Sequence, residues 1–556
     1  MKTIIIMAVA SSLTTAAIAQ YEITCPFTSI TSDISTNTTL SAGTVYRIEG
    51  CIHVTSGATL TIPAGTVVLF EKSSNAGLNI DKGSYLLVQG SASAPVIFTS
   101  DQIPGQRNSG DYSGLVINGY ATNNFSGNVM TTTSRNCNVD AGGTDDNDSS
   151  GSIKYLCMEF SKYGFTAASV GRKTAIENVM ISYPERNAFE FLGGTVQARR
   201  LVAMNARESD FVFNNGNRSK VQQALGIRLD PSAHYGGAAN SNGVLIANND
   251  AAGSGYAGTP QTRPVLDKFT LLGPAYCGAT GIHGDFRNGV LVYHNAQFGM
   301  YNSILSGWPT GFRIEDATTL TNATASPQLI KFEANTLDNH THNYSHNGTW
   351  VTGGCALNMG NWMTQIGSCS QRFNEFSPGN LGYNTSVCED YCNDNVPSFL
   401  MSDDELGDTA YFRVPDLAYD DFFIKSAFRG AFDETLDWTS GWTAFCTDGY
   451  DYCVRGKRTG NVTGSDHLSL SQNGELKVYP NPATEMLSVE FNSTRENEIH
   501  MSLINSVGQV VRSVRYKNTA GKQHLVISTE GLMSGFYILQ VDMAKDEVLR
   551  TRVVVK

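Results

Sequence analysis

The residues able to do chemistry gather in a few short stretches. Gly281-Ile282-His283-Gly284-Asp285-Phe286-Arg287-Asn288 interleaves an imidazole, a carboxylate and a guanidinium with small or apolar residues, so a strand here would set His283, Asp285 and Arg287 on one face. Such a row can bind a uronate or supply an acid and a base. A plainer use is a hydrogen-bonded ladder that caps a turn of the fold. Further carboxylates come from Asp210, with Glu208 just before it, and from Asp230, which shares a Gly/Asn-rich insertion with His234 and Asp250. Convergence of Asp210, Asp230, His283, Asp285 and Arg287 on one groove would equip the chain as a polysaccharide lyase or glycoside hydrolase. Hydrolysis needs two carboxylates roughly 5 to 9 Å apart.

Asp146-Asn147-Asp148-Ser149-Ser150-Gly151 has oxygen-bearing side chains at alternate positions and glycine at the sixth, the pattern that wraps calcium in the first half of an EF-hand loop. The position of that loop's bidentate glutamate is taken by Cys157, so this is not an EF-hand, and Glu159 can substitute only if the loop bends. Asp146, Asp148, Ser150 and Glu159 are therefore the candidate calcium set, beside the alternative of an Asx-rich turn. His340, His342 and His346 could offer three imidazoles to a transition metal, or form a polar loop. H-E-x-x-H, G-x-S-x-G and G-x-x-x-x-G-K-[ST] are all missing from the sequence, which removes the common hydrolytic and nucleotide chemistries.

The elements that must position these residues show themselves by self-comparison. Ala188-Phe189-Glu190-Phe191-Leu192-Gly193-Gly194 and Asp210-Phe211-Val212-Phe213-Asn214-Asn215-Gly216 align at a shift of 22 and share F-x-F-x-x-G, and the apolar runs before them align at the same shift. Short strands with Gly or Asn at the corners and a period near 22 predict a parallel β-helix, each coil about 4.8 Å above the last. One coil cannot bury its own apolar face, whereas a stack can. A β-sandwich would leave the fixed shift unexplained. The expected fold is all-β: a right-handed parallel β-helix over 20–464 with loop insertions and a C-terminal cap, a linker over 465–475, and a small β-sandwich over 476–556.

Lys2, the apolar run from Ile4 to Ala10, and Ala17 and Ala19 before Gln20 read as a secretory signal peptide over 1–19. No later apolar run reaches the roughly 18 to 20 residues that a membrane-spanning helix needs. Eleven cysteines in an exported chain predict disulfides. Spacing groups them as neighbours: Cys25 with Cys51, Cys137 with Cys157, Cys355 with Cys369, Cys388 with Cys392 and Cys446 with Cys453, leaving Cys277 alone. The last 81 residues carry ten Lys and Arg against eight Asp and Glu, so the net charge of −12 falls on the central part. An acidic body argues against nucleic acid as a partner and leaves neutral glycans and calcium open.

The C-terminal module contains Tyr479-Pro480-Asn481-Pro482, Asn505-Ser506-Val507-Gly508-Gln509, Gly535-Phe536-Tyr537 and a basic end at Lys556. This order resembles the type A C-terminal sorting domain of the Bacteroidetes type IX secretion system. The resemblance implies recognition by the outer-membrane translocon and release, or attachment to surface lipopolysaccharide. Ala64-Gly65-Thr66, Pro95-Val96-Ile97-Phe98-Thr99-Ser100, Gly142-Gly143-Thr144-Asp145-Asp146, Phe189-Glu190-Phe191-Leu192-Gly193-Gly194 and Gly307-Trp308-Pro309-Thr310-Gly311 resemble a group of exported Bacteroidetes β-helix proteins of unassigned biochemistry. The expectation is a secreted or surface protein, without catalysis, whose faces bind glycan or another surface component in the manner of an adhesin. Trp350, Trp362, Trp438 and Trp442 are its candidate sugar platforms, Trp438 and Trp442 equally readable as a packed cap. A lyase or hydrolase, and a purely structural surface component, are the alternatives.

Overall fold

The computed structural model describes residues 26–132, 135–235, 241–249, 255–350, 357–365, 372–376, part of 381–452 and most of 477–555. It falls into two compact units, Met1–Asn461 and Val462–Lys556. The expected signal peptide and linker lie outside the described residues. Among the described residues no helix is long and apolar enough to cross a membrane.

The first unit is a parallel β-helix whose coils present three faces. Long strands such as Gly151–Glu159, Ala175–Ser182, Gln197–Met204, Lys220–Ile227 and Val265–Leu272 each serve two faces, their first halves building the first and their second halves the second. The first half of Gly151–Glu159 pairs with Tyr85–Gln89 and the second half with Val96–Ser100, which locates the bend. At the bend stands one residue with left-handed backbone: Tyr155, Asn178, Arg200, Gln223 and Lys268 have φ of 52°, 57°, 57°, 60° and 59° and stack in register. That conformation is unfavourable for residues other than glycine, and the ladders gripping both flanks hold it in place. The third face is a ten-stranded parallel sheet that includes Gly114–Asn118, Phe165–Ala168, Phe189–Leu192, Ser209–Asn214, Asn242–Ala247 and Asn288–Tyr293.

The 22-residue shift is the height of one coil, with Phe189 directly opposite Phe211 and Phe191 opposite Phe213. Those four rings point inward and stack, with centroids 5.3 Å and 5.1 Å apart. Each buried ring contributes about 1.5–3 kcal/mol by leaving water, and stacking adds about 0.5–1.5 kcal/mol.

Two segments cover the outside of the stack. Loop 119–150 folds over the third face, where Met130, Cys137, Val139 and Ala141 pack on Val116, Ala168 and Leu192. A strap from the C-terminal part of the unit runs back along the helix. Asp420 pairs with Lys220 and the Ile424 amide with Gln222. Ala431 then meets Thr270, Tyr183 donates to the Phe445 carbonyl, and Arg107 donates to the Thr447 carbonyl. Phe432, Trp438, Trp442, Phe445 and Tyr452 pack on Val67, Ile97, Met180, Val202 and Leu225 of the second face.

These returns correct the expected disulfide pairing. The bridges are Cys51–Cys137 and Cys277–Cys388, 86 and 111 residues apart in sequence. Thus Cys51 is not joined to Cys25, Cys137 not to Cys157, Cys388 not to Cys392, and Cys277 is not alone. The Cys157 thiol is buried and donates to the Trp442 carbonyl at 3.3 Å. Neighbour pairing presumes a chain that only advances along the stack, whereas the loop and the strap fold back over earlier coils. Cys446 is disulfide-bonded; Cys25, Cys355, Cys369, Cys392 and Cys453 lie outside the described residues.

The second unit holds two antiparallel sheets, one of Lys477–Tyr479, Met486–Ser493 and Gly521–Ser528, the other of Val510–Asn518, Asn497–Asn505, Gly535–Met543 and Glu547–Val555. Leu487, Val489, Phe491, Tyr537, Leu539 and Val541 form its core, as their alternation predicts. Tyr479 lies on an edge strand and donates to Glu490 at 2.6 Å, and Gly535 opens a strand. Pro480, Asn481, Pro482, Gly508 and Lys556 lie outside the described residues.

Candidate functional site

Among the described residues, two places on the β-helix bear most on function. The first is a corner. Most coils cross from the second face to the third by a short turn, as between Gln197–Met204 and Ser209–Asn214. Two successive coils instead have longer connections there, with 228–235 and Ser241 described after Lys220–Ile227, and 273–287 after Val265–Leu272. The loops touch, and His234 Nδ1 lies 2.8 Å from Asp285 Oδ2, with His283 Nδ1 3.4 Å from the same oxygen. The two imidazoles stack face to face, with centroids 3.7 Å apart and planes within 6°. Buried Phe286 packs edge-on beneath His234, the Ser241 amide donates to the Asp285 carbonyl, and Cys277–Cys388 fastens the second loop.

His283 and Asp285 meet through a turn and not through a strand face, because the third-face strand begins only at Asn288. The expected one-sided row is therefore corrected: Arg287 is an exposed residue beyond the turn. His234, left out of the candidate catalytic set, completes the cluster. Its signal was the coincidence of two insertions at the same point of consecutive coils.

The second place is an open groove of about 670 Å³ at the edge of the first face, lined by Arg172, Lys173, Glu177, Arg199, Asp421 and Phe422 among others. The Arg199 guanidinium lies 4.4 Å from the centre of the Phe422 ring. Burial lowers its pKa, partly offset by Glu177. None of the groove's residues was singled out by sequence, since Phe422 arrives from the strap.

The remaining candidates are each held by partners of their own. Asp210 is fully buried, 3.0 Å from Arg228 Nε. A Cβ on Gly226 would lie 2.7 Å from its carboxylate, so it fills the space that glycine leaves in the corner. Burial pushes its pKa up to about 7, against the opposing pull of Arg228. Asp230 closes its own Asx turn, accepting from the Ser232 amide and hydroxyl. Burial raises Glu208, with Arg186 acting against it.

Asp146 accepts from Thr122 and pairs with Arg218 at 2.9 Å. Burial raises its pKa and the Thr122 and Arg218 contacts outweigh that, leaving it lowered. Asp148 binds the Tyr120 amide, and Ser150 donates to Asp148. Glu159, at the far end of Gly151–Glu159, takes the Tyr452 hydroxyl at 2.6 Å. The structure therefore does not bring the four expected calcium ligands together. His340 contacts the Trp308 and Leu305 carbonyls and His346 the Gly348 carbonyl, so their partners differ. The expected aromatic platforms are corrected too. Trp362, Trp438 and Trp442 are buried and Trp350 is half-buried, because the strap and the helix end bury them as anchors.

Sequence reasoning missed one buried acid on the outer side of the F-x-F strand. Glu190 binds Arg135 at 2.7 Å, Thr166 and Asn187 beneath loop 119–150. Burial alone would raise it, and Arg135 with these hydrogen bonds brings it below the usual glutamate value.

The family model described as a pectate-lyase like beta helix domain matches residues 32–372, more than half of the chain, and that of the secretion system C-terminal sorting domain matches 477–556. No curated protein matches. Among solved structures, full-length tailspike protein 2 from Escherichia coli O157:H7 bacteriophage CAB120 aligns at 10% identity and a TM-score of 0.26, over 93% of this chain and 64% of its own. A likeness of that size carries nothing about ligand or reaction. The chain belongs to the pectate-lyase-like beta helix family, and its type IX secretion sorting domain directs it to the cell surface or the extracellular space.

Proposed function

We propose that this β-helix is a non-catalytic glycan-binding protein that holds an extracellular or cell-surface polysaccharide in the groove on its first face. The groove carries the reading. It combines the Lys173 ammonium and the Glu177 and Asp421 carboxylates with the Phe422 ring and the Arg199 guanidinium laid over it, so it can hydrogen-bond sugar hydroxyls beside an aromatic wall. Asp210 is fully buried against Arg228 and Asp230 closes its own Asx turn, so neither is presented as a free carboxylate, which favours binding over a two-carboxylate hydrolysis.

The test is incubation of the full chain with algal, plant and bacterial polysaccharides, following retained protein and new chain ends. Retention without new ends, weakened by Phe422→Ala and Arg199→Ala, is expected. New chain ends that vanish in Asp285→Ala would replace this reading with an enzyme.

A further inference from the structure

We infer that His234, His283 and Asp285 form a mononuclear site for a borderline divalent transition-metal ion of the zinc class. The inference is independent of the groove. The three donor atoms lie within 4.8 Å of one another, and this is the one such His, Cys, Asp and Glu group among the described residues.

Bonds of about 2.0–2.1 Å from a tetrahedral ion place neighbouring ligand atoms roughly 3.3 Å apart. His283 Nδ1 and Asp285 Oδ2 already stand 3.4 Å apart. The 2.8 Å contact between His234 Nδ1 and Asp285 Oδ2 is a hydrogen bond; it opens by roughly half an ångström when a metal replaces the proton. The Asp285 amide reaches His283 Nδ1 at 3.3 Å, a long contact that a metal displaces.

The surroundings mark the cluster as more than a chance meeting of surface side chains. A histidine serving only packing finds separate partners for its nitrogens, as His340 does with two backbone carbonyls. His234 and His283 instead turn both Nδ1 atoms to one carboxylate oxygen; their stacked rings must swing apart when an ion binds, since the metal lies in the plane of each imidazole. The supports are in place before any ion arrives: Cys277–Cys388 on one loop, the Ser241 amide on Asp285, and Phe286 under His234.

Two imidazoles among three ligands disfavour calcium and magnesium, which take oxygen. Three protein ligands leave the fourth position of a tetrahedral ion open. The His283 side chain is 55% exposed, so that position faces solvent and can take water or an oxygen of a bound molecule.

The test uses the full chain, stripped with chelator and titrated with zinc by calorimetry, with cobalt as a spectroscopic stand-in. One zinc per chain, visible absorption typical of tetrahedral cobalt and a rise in the melting temperature are expected. His283→Ala and Asp285→Asn should each weaken binding by more than about 100-fold and abolish the cobalt bands, while His342→Ala changes neither. His283→Gln gives the same readout if the alanine variant alters the circular dichroism spectrum. Absence of zinc binding, binding unchanged in the His283 and Asp285 variants, or displacement of zinc by equimolar calcium would each overturn the assignment.

Discussion

The first and second faces of the β-helix share one set of strands and differ in what their outward side chains meet. On the second face the outward column runs Val45, Val67, Ile97, Cys157, Met180, Val202, Leu225, and the strap lies over it. On the first face the equivalent column runs Gln89, Lys154, Glu177, Arg199, Gln222, Asp267. Its later coils lie under Leu417, Phe422 and Phe423, and the groove opens where that cover stops. Backbone pairing is indifferent to this choice. A parallel ladder carries no information about its outer surface, so the column of side chains decides whether a face is covered by protein or left to a ligand.

The comparison can be broken hardest at the covered face. Trp442 is 1% exposed and its indole donates to the Trp438 carbonyl, so Trp442→Ala should cost about 3–5 kcal/mol in urea unfolding. A cost below about 1 kcal/mol would mean that the strap is not part of the cooperative fold. Next, Cys51→Ser with Cys137→Ser releases the cover of the third face across 86 residues, and should cost about 2–4 kcal/mol.

Smaller effects separate two of the buried acids, Glu190 and Asp210. Glu190 has a folded pKa below its usual 4.5, so its stabilisation is present above that value and disappears as pH falls through the folded pKa. Glu190→Gln should flatten the acid limb of a plot of unfolding midpoint against pH. Asp210 runs the other way. With a folded pKa of about 7 against 3.8, the native state holds more protons in that window, so its contribution declines as pH rises from about 4 to about 7. Asp210→Asn should remove that slope, although leaving Arg228 unpaired lowers stability at every pH. A pH profile unchanged by both substitutions would contradict the two assignments.

The smallest effect on stability belongs to the open face. Arg199→Ala should alter unfolding by no more than about 1 kcal/mol, the worth of its contact with the Phe422 ring, yet weaken glycan retention by about tenfold, since a hydrogen bond from a charged group is worth about 1.5–3 kcal/mol. A large loss of stability there would make the groove one more packed face.

Much of the fold was legible because its signals are local and repeated. F-x-F at a shift of 22 names inward rings that must stack, and the alternation in Leu487, Val489 and Phe491 names the core of the second unit. The bends were not legible, since Tyr155, Asn178 and Arg200 share a left-handed backbone without sharing a residue type. The site was half legible. His283 and Asp285 stood out by spacing, but their meeting depends on a turn, and His234 enters from a loop one coil below.

The sequence by itself determined the coil, its period and the export module, because stacking and alternation are properties of neighbouring residues and recur until they are unmistakable. Only the tertiary structure decided which acids are locked and which are presented, which cysteines join, and that Trp438 and Trp442 are anchors. Those outcomes depend on loop 119–150 and the strap folding back over coils far away in sequence. Burial and charge pairing act through space, and no short-range pattern in the chain records where a returning segment will land.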